Sequence, residues 1–356
     1  MAVAFDLQKL EVIGQPVPVV PDVMHFLNSN NSDHNSGAGQ YHISDSGSLA
    51  YAPGGIIPDP ENLLVWVDQK GNEEPISSHT KPYFAPRLSP DGQKIVYFTG
   101  GTEAYTAVYD IDRDIATQVI SEGISSWPIW TPDGSKIVFA WSDYSIDNIY
   151  MMPADGSKAM ERLTTSENYQ APSSFSQDGN LLAYVESRGE IGDILIYDFR
   201  DKSTSPFLAT EHNEGYPEFS PDGRWIAYCS DQEDEGLFKV YIRSSSGTGE
   251  TIKVSPEWGH SPLWARDGKK IFYKRGRQMW VADVQTKPSF SVGRPRLLFE
   301  NRRLSVINPV RGYDISLDDQ SFLMVKSEER EPRPMTEMIL IQNWFEEIKR
   351  LVPTGK

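Results

Sequence analysis

The run Phe219-Ser220-Pro221-Asp222-Gly223-Arg224-Trp225-Ile226-Ala227-Tyr228 decides the fold. Proline presets φ for a tight turn, aspartate caps it, and glycine accepts the left-handed position. The alternating aromatic and branched residues that follow suit a half-buried strand. The stretch is therefore a hairpin, and it recurs. Copies stand at Ser89-Pro90-Asp91-Gly92, Thr131-Pro132-Asp133-Gly134, Ser176-Gln177-Asp178-Gly179 and Ala265-Arg266-Asp267-Gly268. An earlier copy is Ser44-Asp45-Ser46-Gly47, and a degenerate seventh is Ser316-Leu317-Asp318-Asp319. The turn glycines 47, 92, 134, 179, 223 and 268 lie 45, 42, 45, 44 and 45 residues apart, and the seventh copy follows after 51.

Each period holds a third strand, as in Leu64–Asp68, Ala107–Asp110 and Ile194–Asp198, and a shorter fourth, as in Thr117–Ile120. Four strands in a period of roughly 45 residues make one blade of a β-propeller. Seven turns predict an all-β, seven-bladed propeller of four-stranded antiparallel sheets, with six blades as the runner-up. One domain is expected over 1–356: closing strands in 1–20, blades over 41–342, and a short helix or tail over 343–356. Val3–Phe5 and Val17–Val19 imitate late blade strands, so the amino end is expected to shut the ring with the carboxyl end. Met338–Ile341 competes with Val3–Phe5 for one place. Residues 25–39, rich in Asn and Ser, read as an exposed loop. The apolar spacing 344, 345, 348 and 351 predicts a short amphipathic helix under the ring, with dimerisation through it as the sharper alternative to a monomer.

Lys plus Arg number 34 and Asp plus Glu 50, for a net charge of −16. That excludes the basic footprint of a nucleic-acid binder and docking on an anionic membrane surface. No apolar run is long enough for a membrane helix, and no leader pattern follows Met1. The single cysteine, Cys229, excludes an internal disulfide and leaves the compartment open.

The repeats, and 219–228 above all, resemble the WD-like β-propeller repeats of the TolB type. The resemblance covers nearly the whole chain, and it implies the fold; TolB-type rings commonly have six blades. Propellers host many roles, so it implies little about activity. Ala4-Phe5-Asp6-Leu7 and Asn343–Lys349 resemble propeller domains that follow serine/threonine kinases in some bacteria; no kinase motif is present here. TolB carries a further amino-terminal α/β domain, for which no room remains before residue 41. The family context implies a periplasmic setting, and without it a cytoplasmic one.

Sites for chemistry are sparse. There is no Gly-x-Ser-x-Gly elbow, no His-Glu-x-x-His and no phosphate loop. His42, His212 and His260 sit at or before first strands, where a ring brings successive periods together. A metal or acid/base cluster there resembles the channel histidines of propeller oligouronide lyases; the plainer reading is wall histidines without a metal. No cofactor is expected, and channel-bound calcium or a transition metal has no specifying motif. The strand entries give the ligand candidates Tyr83, Arg87, Trp127, Tyr169, Glu214, Tyr216, His260 and Arg311, on the face opposite the Asp-Gly turns. The repeated aromatic-Pro pair reads as blade packing. Asp143, Asp147, Glu186, Glu190, Asp193, Asp231, Glu233, Asp234 and Glu235 are expected to form an acidic rim on that same face. The favoured function is a non-enzymatic recognition module for a protein or small ligand, cationic or neutral, at an acidic funnel mouth. The alternative is a saccharide lyase or hydrolase.

Overall fold

The computed structural model describes residues 1–24, 39–54, 61–100, 105–120, 122–143, 145–286, 290–301, 311–327 and 336–352. His25, His34 and all of the 25–39 loop but Gly39 lie outside them. The expected single propeller over 1–356 meets a chain whose contacts fall into two compact units. One is Pro60–Glu329; the other combines Met1–Asp59 with Arg330–Lys356.

Among the described residues the larger unit contains six antiparallel sheets. Blade 1 begins with Tyr83–Leu88, blade 2 with Ile124–Trp130, blade 3 with Tyr169–Phe175, blade 4 with Glu214–Phe219 and blade 5 with His260–Trp264. Blade 6 is composite: Asp314–Ile315 and Ser321–Ser327 from late in the chain pair with Asn62–Asp68 and Glu73–Pro75 from early in it. Buried side chains link the sheets in a closed cycle. Val96 of blade 1 packs with Ile137 and Phe139 of blade 2, and Val138 with Leu182 and Tyr184 of blade 3. Ala183 meets Ile226 of blade 4, and Cys229 meets Ile271 and Tyr273 of blade 5. Phe272 meets Phe322 and Met324 of blade 6, whose Leu64 and Leu323 return to Ile95 and Tyr97 of blade 1. Each fully buried Val, Leu, Ile, Phe or Met among them contributes about 1.5–3 kcal/mol.

The described residues form six such sheets in this unit, the number of the runner-up to the expected seven. The Ser316 turn belongs to blade 6, and the strand Asn62–Asp68, read as the third strand of the first period, takes its second strand from Ser321–Ser327. The closing strands are corrected. Ala2–Asp6 pairs with Glu11–Val17 in a two-stranded sheet of the smaller unit. The hairpin of the Ser44 turn, Tyr41–Ile43 with Leu49–Tyr51, takes Ile339–Ile341 as its third strand, which settles the competition against Val3–Phe5. A helix, Trp344–Leu351, buries Trp344 against Leu49 and Tyr51 of the same unit.

The turns behave as their chemistry requires. Gly92, Gly134, Gly179, Gly223 and Gly268 have φ of 75, 69, 72, 69 and 69°. In the degenerate seventh copy Asp319 takes the left-handed place, at φ 58°, as a short polar side chain can.

Candidate functional site

Every described first strand with an X-Pro pair carries a β-bulge there: the register shifts between Phe84 and Arg87, Ser126 and Ile129, Pro172 and Ser174, Gly215 and Glu218, and His260 and Leu263. In four of them the residue before proline is left-handed without being glycine: Ala85, Trp127, Tyr216 and Ser261, at φ of 44, 54, 54 and 56°. A bulge adds one residue to one strand, bends it, and re-aims the side chains beyond it. The residues beyond face the axis. Two positions before each turn's first residue stand Arg87, Ile129, Ser174, Glu218, Leu263 and Asp314, one per blade, and all six line one cavity of about 580 Å³. Pro90, Pro132, Gln177 and Pro221 line it as well, so it lies toward the Asp-Gly turns.

Neighbouring first strands are stitched together around this cavity. The Trp130 indole donates to the Arg87 carbonyl at 3.0 Å, and the Trp264 indole to the Glu218 carbonyl at 3.2 Å. The Phe219 amide donates to Ser174 Oγ at 2.8 Å, the Leu88 amide to Asp314 Oδ2 at 2.9 Å, and the Tyr313 hydroxyl to the Ser261 carbonyl at 2.8 Å.

Arg87, Arg266, Arg311, Glu218 and Asp314 are the charged residues in the lining, three cations against two anions. Arg87 and Arg311 are only 4% and 5% exposed. Arg311 Nη2 lies 3.7 Å from Glu218 Oε2, and its Nη1 lies 3.7 Å from Asp314 Oδ1, beyond hydrogen-bonding distance. Arg87 Nε and Arg311 Nε and Nη1 are buried with no hydrogen-bond partner among the described residues. Burial, then the neighbouring Arg311, lowers the Arg87 pKa to about 9. Burial raises the Glu218 carboxyl to about 7; the Arg311 charge opposes that rise and Asp314 adds to it. Burial works against the Arg311 cation, and Glu218 with Asp314 more than restores it.

The strand-entry candidates do not form one site. Arg87 and Arg311 share the cavity; the other six do not line it. Tyr83 is buried in the core between blades 6 and 1, edge-on to Tyr97 at 4.8 Å. Trp127 clusters with Ala85 and Phe98 of blade 1 and Ala171 of blade 3, so this aromatic-Pro pair serves packing. Tyr169 is exposed. Glu214 is buried and accepts from the Thr210 hydroxyl; burial raises its pKa. Tyr216 and His260 are buried with ring centroids 5.8 Å apart. His260 Nδ1 lies 2.9 Å from Ser261 Oγ, and burial, with Lys274 adding, lowers its pKa to about 3. His42 belongs to the smaller unit and His212 to the rim. Among the described residues no three His, Cys, Asp or Glu side chains converge as metal ligands.

Of the residues expected to form an acidic rim, Glu190, Asp231, Glu233 and Glu235 line one pocket with His212; Asp193 and Asp231 are buried, and several are already paired. Lys239 Nζ lies 2.9 Å from Glu233 and 2.6 Å from Asp234, and Lys253 also binds Glu233. Arg188 pairs with Asp193. Asp231 accepts the Asn213 and Gly236 amides. The cavity residues missed from sequence are Glu218, Asp314, Ser174 and Arg266. The signal was the position two before the turn, where three of six strands carry a charge.

The TolB β-propeller domain model matches residues 61–285, more than half of the chain. The chain belongs to the TolB β-propeller family. It is 32% identical over 125 residues to the uncharacterized peptidase YuxL of Bacillus subtilis, covering 32% of this chain and 19% of that protein. It is 26% identical over 200 residues to the uncharacterized protein Atu1656 of Agrobacterium fabrum, covering 53% and 64%. A TolB homolog of Chlorobium chlorochromatii is 30% identical over 105 residues, covering 29% and 23%. The chain thus spans less than two thirds of each of these relatives. Among solved structures, the Agrobacterium tumefaciens protein named as a TolB candidate is similar at a TM-score of 0.60 and 17% identity, covering 77% of this chain and all of that one. TolB of Acinetobacter baumannii follows at 0.52 and 19%, covering 69% and 68%. These likenesses show a TolB-type fold. No helix among the described residues is long and apolar enough to cross a membrane.

Proposed function

We propose that this TolB-type propeller is a non-catalytic recognition module that binds its ligand in the central cavity of the six-bladed ring. The observation that carries this reading is the cavity itself: all six blades contribute to it, and three of its five charged residues, Arg87, Glu218 and Asp314, are held by strands. Rigid elements position binding groups more tightly than loops do. Its lining contains no histidine, cysteine or lysine, and neither of its carboxylates, Glu218 and Asp314, accepts from a lining hydroxyl among the described residues, so neither is placed as the base of a nucleophile. The site therefore moves from the acidic strand-entry mouth to the turn side of the axis.

Soaking crystals in a fragment library tests this. Ligand density is expected among Arg87, Ser174 and Trp264. Gln177→Trp, at an exposed turn position of the lining, is expected to abolish that density without changing the melting temperature. Turnover of uronide oligomers by the purified chain, or fragments collecting at the Glu190 and Glu235 rim instead, overturns the reading.

A further inference from the structure

We propose that the central cavity takes its ligand by a carboxylate, seated between the guanidinium groups of Arg87 and Arg311. This rests on the reading of that cavity as the binding site, and it adds the ligand's chemistry.

The argument begins with unmet donors. A guanidinium carries five N–H groups in a planar fork, and at neutral pH it keeps its charge even when buried. A buried donor without a partner costs about 1–3 kcal/mol, more when charged. Here the side chains of two buried arginines line a cavity of about 580 Å³, and three of their nitrogens have no partner among the described residues. The cations also repel each other, Arg311 being the largest electrostatic influence on Arg87 after burial. The two acidic residues of the lining do not meet this need. Glu218 and Asp314 stand 3.7 Å from Arg311, and Asp314 spends its oxygens on the amides of Leu88 and Ile315. They balance charge without accepting the free N–H groups.

An anion between the two arginines would accept guanidinium N–H groups, relieve the crowded donors and screen the repulsion. The lining charge of three Arg against Glu218 and Asp314 leaves one positive charge, which suits a monoanionic group. A phosphate dianion would face both acidic residues at close range. A carboxylate matches the planar fork in two parallel hydrogen bonds. Ser174 and Thr131 offer hydroxyls to the rest of such a ligand, and Trp264 an apolar wall. The carboxylate could come from a free small acid or from a peptide; both present the same group.

Titration of the full chain, followed through the arginine Nε–H signals in ¹⁵N spectra, tests the inference. The probes are glutarate, the tripeptide Gly-Gly-Glu, the fully amidated form of each, and inorganic phosphate. The carboxylates are expected to move the buried arginine signals and to bind at least about tenfold tighter than the amides and phosphate. A response to the tripeptide alone identifies a peptide source, and a response to glutarate alone a free acid. Arg87→Gln is expected to lose about tenfold. Should that variant fail to fold, Glu218→Gln decides, because it removes a competing negative charge and keeps the shape: severalfold tighter binding is expected. Equal binding of the amides, silent arginine signals with every probe, or weaker binding by Glu218→Gln overturns the inference. If fragments still occupy the cavity in crystals without any carboxylate, the recognition reading stands and this one falls. If they gather at the acidic rim, both fall.

Discussion

At the rim of blades 3 and 4, Glu233 holds Lys239, Lys253 and the Tyr241 hydroxyl, and those contacts lower its pKa to about 2. At the axis, Glu218 stands at 3.7 Å from its cation and burial raises its pKa to about 7. The rim has more acidic groups, and Asp193, Glu233 and Asp234 each hold a cation within ion-pair distance. The axis has few, yet its guanidinium donors are unmet. The difference teaches that the sign and appetite of a site follow from pairing and burial, and not from the count of charged residues. A formal charge of −16 is compatible with an anion site at the centre of the ring.

Arg311→Met breaks the axial side of the comparison most severely. It leaves Glu218 and Asp314 buried beside Arg87 alone, and the expected loss is about 3 kcal/mol in urea denaturation. Adding Glu218→Gln should recover part of it; a loss no larger than that of a surface substitution would show the axial charges to be solvated like those of the rim.

The pH dependence sharpens the contrast. The folded-state pKa of Glu218 is raised, so the folded chain binds its proton more tightly than the unfolded chain does. Its contribution is full below the unfolded value of 4.5 and is lost as pH rises through about 7. The melting temperature is therefore expected to fall between pH 5 and pH 8, by the equivalent of on the order of 2 kcal/mol, and Glu218→Gln should flatten that slope. Turn aspartates have the opposite sign. Asp91, Asp133, Asp178 and Asp318 are held below their ordinary value, first by the Ser or Thr hydroxyl two residues earlier; at Asp222 burial opposes the Ser220 and Arg224 bonds that lower it. Their contribution is present above the ordinary aspartate value and is lost as pH falls below it. A melting curve still rising above pH 7 would contradict the axial assignment.

Gly223→Val provides a neutral yardstick between the two regions. A Cβ there would meet nothing within 4 Å, so the cost is left-handed backbone strain alone, about 1–3 kcal/mol. An unchanged urea midpoint would mean that the turn relaxes freely.

Glu233→Gln is expected to have the smallest effect. It should lower the melting temperature only slightly, and less still in high salt, because exposed pairs are screened by water and ions. A loss as large as that of Arg311→Met would erase the distinction between rim and axis.

The ring was legible because its signal is local. Ser89, Thr131, Ser176, Ser220 and Ser316 each donate to the aspartate two residues on, at 2.6–2.7 Å, so each turn encodes itself. The partner of Asn62–Asp68 was not, because nothing local says that it pairs with Ser321–Ser327 rather than with Leu49–Tyr51. Arg87 and Arg311 were legible as charges at strand entries. Glu218 and Asp314 were not, because alternation cannot be counted through a bulge: past Tyr216-Pro217 the facing of the strand changes. The entry aromatics drew attention for the same reason, since their repetition marks packing.

The composite sixth blade also bears on how the molecule is made. Asn62–Asp68 leaves the ribosome early, and the strand that covers it, Ser321–Ser327, leaves only after the five intervening sheets. Until then its backbone N–H and C=O groups on that side are an open edge, ready to pair with another chain. Pairing over such a separation is slow, and exposed edges make the waiting species prone to aggregation. A product stalled or cut before residue 321 keeps that edge open however well its five blades have packed. Completion of translation is thus itself the step that seals the ring against self-association.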